Sequence, residues 1–168
     1  MFTLRPTQKL FRRVDLLAAQ AVSTPDEATT TRLGDWYANL LTLDRRPIAL
    51  FVSERTLLPV LVHMAPSSTL AARFREAVAE MMIAIGISDA DVRDELREMG
   101  RFAIGKTTSR RILGSMNDFG WLAEGTPAGE SLLNAALVLA DAPCSPIAMR
   151  SPREATLAAF EVEPAPLH

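Results

Sequence analysis

Three apolar segments of β character follow one another between residues 35 and 64, and only short turns separate them. The segments are Trp36–Leu43, Ile48–Ser53 and Leu57–Met64. Connections this short join only antiparallel neighbours, because parallel strands need a crossover of a dozen or more residues. The sequence therefore predicts an antiparallel β-meander.

Two features place the strands within that meander. Ile48–Val52 is apolar at every position, which is typical of a strand buried on both faces. Pro59 has no backbone N–H to donate to a ladder, so the third strand is predicted to lie at an edge or a bulge.

Amphipathic helices are predicted around the meander, from helical spacing of apolar residues, from capping residues and from terminal glycines. They are Thr7–Ala19, Thr69–Ile85, Ser88–Met99, Ser109–Ala123, Glu130–Ala140 and Ser151–Phe160. Short strands at Met1–Arg5 and Arg101–Gly105 extend the sheet. We therefore predict an α+β fold in which a three-stranded meander packs against about six helices. Residues 1–160 are predicted to form a single domain, and residues 161–168 a flexible tail.

Charge and cysteine content limit the function classes. A net charge of −2 and a single cysteine mean that no global positive field attracts nucleic acid and that no disulfide forms within the chain. Apolar stretches fall far short of the ~20 residues that span a bilayer, and the N-terminus lacks an apolar signal core. We expect a cytoplasmic protein with no membrane association.

One segment matches the phosphate-loop pattern literally: Gly100, then four residues, then Gly105-Lys106-Thr107. The chemistry requires a strand, a glycine-rich turn and then a helix. Here the first glycine closes a predicted helix and the intervening residues have strand character. The match is therefore predicted to be a coincidence of spacing.

Metal and nucleophile chemistry lack suitable residues. His63 and His168 are the only histidines, and Cys144 lies in a turn between Pro143 and Ser145. Zinc needs three or four convergent ligands, and a nucleophile needs an adjacent base. We expect no metal, no cofactor and no catalytic residue of these types.

The polar segment Lys106–Asp118 is the first candidate ligand-binding region. Ile112, Met116 and Phe119 form an apolar stripe, whereas the candidate residues fall largely outside it. These candidates are Arg110, Ser115, Asn117 and Asp118. Gly114 inside a helix costs about 1 kcal/mol against Ala, so something is predicted to approach the backbone there. The sheet is favoured over a partner or a ligand.

A second group of candidates lies on the meander: Trp36, Asn39, Arg45 and Arg46. The arginines lie in the turn between the first two strands and could bind an anion. Asn39 in an apolar strand needs a hydrogen-bond partner if it is buried. Trp36 fits a core position better than an exposed stacking platform.

Several of these strings together resemble a family of small uncharacterised bacterial proteins, built on a domain of unknown function. The shared motifs are Trp36-Tyr37-Ala38-Asn39-Leu40, Asp44-Arg45-Arg46 and Leu113-Gly114-Ser115-Met116-Asn117-Asp118. The resemblance covers roughly residues 1–122 and implies that these segments belong to one unit. It implies no activity.

Three functions remain open. The favoured hypothesis is a non-catalytic regulatory or binding module, antitoxin-like or immunity-like, with a protein partner. The second is an enzyme acting on a phosphorylated or nucleotide ligand, with Arg45, Arg46 and Arg110 as anion contacts and Asp118 as acid or base. The third is nucleic-acid binding, which requires the pairs Arg12-Arg13, Arg45-Arg46 and Arg110-Arg111 to converge.

Overall fold

The computed structural model describes residues 1–14 and 28–161. Its strands are β1 (Phe2–Pro6), β2 (Trp36–Leu43), β3 (Arg46–Ser53), β4 (Pro59–His63) and β5 (Phe102–Ile104). Its α-helices are α1 (Gln8–Phe11), α2 (Leu70–Ile85), α3 (Asp89–Glu98), α4 (Arg110–Glu124), α5 (Leu132–Ala140) and α6 (Pro152–Phe160). Short 3-10 turns lie at Ser67–Thr69 and Ser145–Ile147.

The predicted α+β fold is confirmed, with the meander at its centre. The strands form one five-stranded sheet in the order β4-β3-β2-β1-β5. β2, β3 and β4 pair antiparallel in sequence order. β1 instead pairs parallel with both β2 and β5. The two predicted short strands thus extend the meander on one side only.

The predicted strand positions within the meander are also confirmed. Ile48–Val52 of β3 is buried at every residue, because β2 and β4 flank it and helices cover both faces. β4, which begins with Pro59, is an edge strand. An edge strand tolerates a missing N–H donor, because one side of its backbone has no ladder to complete.

Alternate residues of β2 contact different helices, because neighbouring side chains in a strand point to opposite faces. Trp36 packs edge-on against Phe74 of α2, with ring centroids 5.1 Å apart. Tyr37 and Leu41 lie on the other face, next to the start and the middle of α4. Helices α2 and α4 therefore cover opposite faces of the central strand.

The first predicted helix is shorter than expected. It ends at Phe11, not at Ala19, because the next amides bond three residues back: Arg13 N–H to the Leu10 carbonyl and Val14 N–H to the Phe11 carbonyl. Such bonds tighten and close a helix. The remainder of that predicted helix, most of the predicted polar loop at 22–32 and the predicted tail beyond residue 161 lie outside the described residues.

The other helix boundaries agree with the predictions to within one or two residues, because the capping residues act as expected. Ser88, Ser109 and Ser151 each accept a backbone N–H from the third residue after them. Gly86 ends α2 with φ at 102°, a conformation that glycine adopts without a Cβ clash. No single helix in the described part of the chain is long and apolar enough to cross a membrane; one pair bent by 58°, Leu132–Ala140 with Ser145–Phe160, reaches such a span by length and composition alone.

The favoured interpretation of Gly114, packing against the sheet, is wrong. A Cβ built at Gly114 would have no neighbour within 4 Å, and the residue is exposed. Gly120 is the glycine that the sheet approaches: a Cβ there would lie 3.1 Å from the Cδ2 atom of Leu41. Gly120 belongs to the same apolar stripe as Met116, four residues before it, whereas Gly114 lies on the opposite side of the helix.

These two glycines should respond to substitution in opposite directions. Gly120→Val should lower the free energy of unfolding by about 1–3 kcal/mol, because the added methyl groups collide with Leu41. Gly114→Ala should raise it by roughly 0.5–1 kcal/mol, since alanine favours the helix and meets nothing. Urea unfolding followed by circular dichroism measures both. A Gly120→Val protein as stable as wild type would contradict the close packing of α4 on β2.

Candidate functional site

The candidate residues of the segment 106–118 lie mainly on the exposed side of α4. We define the α4 face as Arg110, Arg111, Gly114, Asn117, Asp118 and Trp121, all of which are exposed. With 3.6 residues per turn these positions fall on one side of the helix, and Gly114 lies at the centre. Ser115, the remaining candidate, is buried at the margin of the opposite side.

Trp121 was not among the candidates from sequence, yet it is the largest apolar side chain on this face. Its side chain is 75% exposed, more than any other exposed large hydrophobic residue in the described part of the chain. A signal was present in the sequence, because Trp121 follows Gly114 by seven residues and therefore lies on the same side of the helix. The predicted polar segment ended at Asp118 and therefore left Trp121 out.

The position of α4 is fixed at both its start and its middle. The Ser109 side chain caps the helix by accepting the Ile112 N–H. The Tyr37 hydroxyl accepts the Ser109 N–H at 3.2 Å and lies 3.2 Å from the Thr108 hydroxyl. Tyr37 is fully buried, so the start of α4 is held by a group in the core. The exposed face is therefore presented by a rigid element, as precise binding sites require.

The arginine turn lies at the other end of α4. Arg45 and Arg46 are exposed, and Arg46 lines a cavity of about 370 Å³ with Glu124, Glu130 and His63 among its other walls. Asp44 and Arg45 have φ values of 48° and 61°. Both values match the tight hairpin turn in which glycine usually follows Asp. Arg45 therefore occupies a backbone conformation that costs about 1–2 kcal/mol for a side chain.

The two arginine groups do not share one pocket. Arg46 lines a cavity with Ala123 and Glu124, at the last turn of α4. Arg110 is the first residue of the same helix. At 1.5 Å per residue the two ends are separated by about 20 Å. A small anionic ligand cannot contact both ends at once.

Asn39 and Trp36 serve the fold. The Asn39 side-chain oxygen accepts the Thr7 hydroxyl at 2.8 Å and the Leu40 N–H at 2.9 Å, so the amide has the partners that its position requires. Trp36 is completely buried against Phe74, which confirms its assignment to the core. Its indole nitrogen is the one buried side-chain polar atom in the described residues that has no hydrogen-bond partner.

The segment that matches the phosphate loop is not a loop, as expected. Its middle residues form β5, which pairs with β1. A Cβ at Gly105 would lie 2.7 Å from the Thr3 side chain, and the Lys106 carbonyl accepts a hydrogen bond from Arg5 at 2.8 Å. The space in which a phosphate would need to lie is thus filled by β1.

Asp35 is occupied by structural bonds. One carboxylate oxygen accepts the Thr3 N–H at 2.9 Å and the Thr29 hydroxyl. The other accepts both Nε and Nη2 of Arg5, at 3.3 and 3.1 Å. This cluster ties the residues before β2 to β1, and it leaves Asp35 no free position for proton transfer.

Glu95 is a buried carboxyl with a similar role. Its oxygens accept the Arg32 N–H at 2.9 Å and the Leu33 N–H at 3.0 Å, which holds the segment before β2 against α3. Burial raises the pKa of Glu95, while the two amides and the nearby arginines oppose the rise. Glu95 therefore acts on the segment before β2, through the amides of Arg32 and Leu33.

The single cysteine, Cys144, is buried. Burial raises the pKa of the Cys144 thiol, and the nearby Asp118 raises it further. A thiol in this state is a weak nucleophile near neutral pH. Among the described residues, no group of three or more His, Cys, Asp and Glu side chains is arranged to hold a metal ion.

Comparison with known proteins gives one match. The family model described as Domain of unknown function (DUF6933) matches residues 3–155. The chain belongs to this family. No match was found among curated proteins or among solved structures. The matched range extends from β1 into α6, so it includes the whole α4 face and reaches beyond the residues that carried the resemblance in the sequence.

The buried carboxyl of Glu95 makes a testable contribution to stability. The pKa of Glu95 is raised in the folded protein. At pH values between the pKa of the unfolded state, about 4.3, and the higher pKa of the folded state, the folded protein therefore binds a proton that the unfolded protein has lost. The contribution of Glu95 should therefore be greatest below that window and should decline as the pH rises through it. Urea unfolding of wild type and Glu95→Gln at a series of pH values measures this.

As the pH is lowered from 7 to about 4, the unfolding free energy of wild type should rise relative to that of Glu95→Gln. Glu80→Gln, which changes an exposed carboxyl on α2, is the matched control. Parallel pH profiles for wild type and Glu95→Gln would show that the folded and unfolded proteins bind this proton equally well.

Proposed function

We propose that this chain is a non-catalytic protein-binding module whose contact surface is the α4 face. The observation that carries the proposal is Trp121, 75% exposed, on the same helix side as Arg110, Asn117 and Asp118. Trp and Arg are enriched among the residues that contribute most to binding energy at protein interfaces. The surrounding polar side chains supply the hydrogen-bonding rim that such an interface needs.

The remaining polar groups support binding over catalysis. Proton chemistry requires an acid or base beside the anion contacts. Arg46 and Arg110 lie at opposite ends of α4, about 20 Å apart, and Asp35 is engaged by Arg5. Asp118 shares the face with Arg110, but both side chains are exposed to solvent, which favours a contact surface over an enclosed catalytic site. A cytoplasmic regulatory protein of the antitoxin or immunity type is one form that such a module takes, and it is part of this proposal.

Site-specific photo-cross-linking in cells tests the proposal. A photoreactive phenylalanine derivative placed at Asn117 should form a covalent adduct with a protein, because the side chain lies on the α4 face. The same residue placed at Arg93, which is exposed on α3, is the matched control. The helix α3 packs against α2, which covers the other face of the sheet from α4.

Trp121→Ala should weaken binding of the partner by about thirtyfold and lower the adduct yield at position 117 accordingly, because truncation of an interface tryptophan of this kind costs about 2 kcal/mol or more. Trp121 is exposed, so this variant should unfold at the same urea concentration as wild type. Equal adduct yields at 117 and 93, or a yield at 117 unchanged by Trp121→Ala, would contradict the proposal.

A second candidate, nucleic-acid binding, is favoured by one observation. A cavity of about 780 Å³ is lined by Phe11 on one side and by Lys106 and Thr107 on the other. Arg12-Arg13 follow Phe11, and Arg110-Arg111 begin α4 three residues after Thr107. Two of the three arginine pairs thus lie near one cavity, while Arg45-Arg46 lie at the far end of α4.

Retention on immobilised DNA distinguishes the two candidates. Nucleic-acid binding predicts retention that falls steeply with salt, because phosphate contacts release counterions. Arg12→Ala with Arg13→Ala should then weaken retention, whereas Arg45→Ala with Arg46→Ala should leave it unchanged. Absence of retention at 50 mM salt would remove this candidate and leave the protein-binding proposal intact.

A further inference from the structure

We propose that the partner bound at the α4 face is a second copy of this chain, related by a two-fold axis that passes between the copies beside Gly114. This inference rests on the proposed function and names the occupant of the same surface. It follows from the pattern of charge along the helix and from the position of the exposed glycine. Neither feature contributes to the fold of the single chain.

The charges on the α4 face are complementary to themselves when the helix is reversed. Arg111 lies three residues before Gly114 and Asp118 four residues after it, about 5 and 6 Å along the helix axis, and both lie on the same side of the face. The two-fold axis lies between the copies beside Gly114, so it reverses the direction of the helix but keeps each side of the face on its own side of the interface. Arg111 of one copy therefore faces Asp118 of the other, and the reverse pair forms at the same time.

The flanking positions follow the same symmetry. Arg110 lies four residues before Gly114 and Asn117 three residues after it, both on the other side of the face, so the guanidinium of one copy faces the side-chain amide oxygen of the other. Trp121 lies about 10 Å beyond the axis and covers the residues that precede α4 in the second copy. The indole would thereby lose the exposure that it has in the single chain.

Gly114 occupies the one position where two crossing helices come closest. The distance between packed helices depends on the side chains at the crossing point, and it is shortest when they are small. In the single chain, a Cβ at position 114 would meet nothing within 4 Å. A second helix backbone explains an exposed glycine in the middle of a 15-residue helix; an ordinary solvated face does not.

The paired charges are also available. Within the described part of the chain, neither Arg111 nor Asp118 has an ion-pair partner. Both side chains are exposed and lie on a helix whose start is fixed by Tyr37. The second copy would give each of them an oppositely charged partner without any change in the helix.

Sedimentation velocity over a range of concentrations, at 50 mM salt, is the first measurement. The wild-type mass should rise from that of the single chain, 18.4 kDa, toward twice that value. Arg111→Asp and Asp118→Arg should each weaken dimerisation by about tenfold or more, because each places like charges opposite one another twice per dimer. The double variant R111D/D118R should return to within about threefold of wild type, since it exchanges the charges while keeping them complementary.

A steric pair of variants tests the position of the axis. Gly114→Leu should abolish dimerisation while the monomer stays folded, because the added side chain meets open space in the single chain. Ala84→Leu, at an exposed position of α2, is the matched control and should dimerise as wild type does. In a protein whose native thiol is removed by Cys144→Ala, Gly114→Cys should form a disulfide-linked dimer under mild oxidation, because a residue on the axis faces its own copy.

The outcomes separate this inference from the proposed function. A wild-type protein that stays monomeric at 200 μM, or a double charge variant no better than its single parents, would overturn the dimer. If position 117 then still forms a photo-adduct with a different protein, the α4 face binds that protein: the proposed function holds and only the dimer is wrong. If the photo-adduct at 117 has twice the mass of the chain and disappears in Gly114→Leu, both stand together.

Discussion

The structure depends on one constraint: β2 is flanked by a strand on each side, and both of its faces must be covered by helices. Its side chains alternate between the two faces, so Trp36 packs against α2 and Tyr37 contacts the start of α4. Trp36 and Tyr37 are both fully buried, and together they are the largest such residues in the core. Every helix whose position matters for the candidate site is placed relative to this strand.

The start of β2 is also where distant segments of the chain meet. Asp35 binds Arg5 of β1 and the Thr3 amide, while Glu95 of α3 binds the amides of Arg32 and Leu33. A buried carboxylate that accepts several donors fixes the segment more firmly than apolar contact alone, because an unpaired donor there would be costly. These two acidic groups therefore hold the segment before β2 in place and belong to the architecture of the fold.

Turn and proline signals in the sequence predicted the meander, but no such signal specified how β1 and β5 pair with the rest of the sheet. Short turns forced antiparallel pairing of β2, β3 and β4, and Pro59 marked the edge. The parallel pairing of β1 with β2 and β5 joins segments separated by 30 to 100 residues, and no turn signal can specify such contacts. The two glycines of α4 differ from this case, because helical spacing distinguishes them. Gly120 lies on the apolar stripe of Ile112 and Met116, so the spacing places it, and not Gly114, against the sheet. The same spacing places Trp121 on the exposed side of the helix with Gly114.

The helix α4 has two sides with different consequences for stability. On the inner side, Gly120 allows close approach to Leu41, so its low helix propensity is offset by packing. On the outer side, Gly114 brings the same cost of about 1 kcal/mol with no neighbour to offset it, and Trp121 leaves a large apolar surface in water a few residues away. This surface breaks local rules twice, whereas the other helices cap and pack as expected, and departures of this kind concentrate at functional sites. The proposal that the α4 face contacts another molecule rests on that contrast.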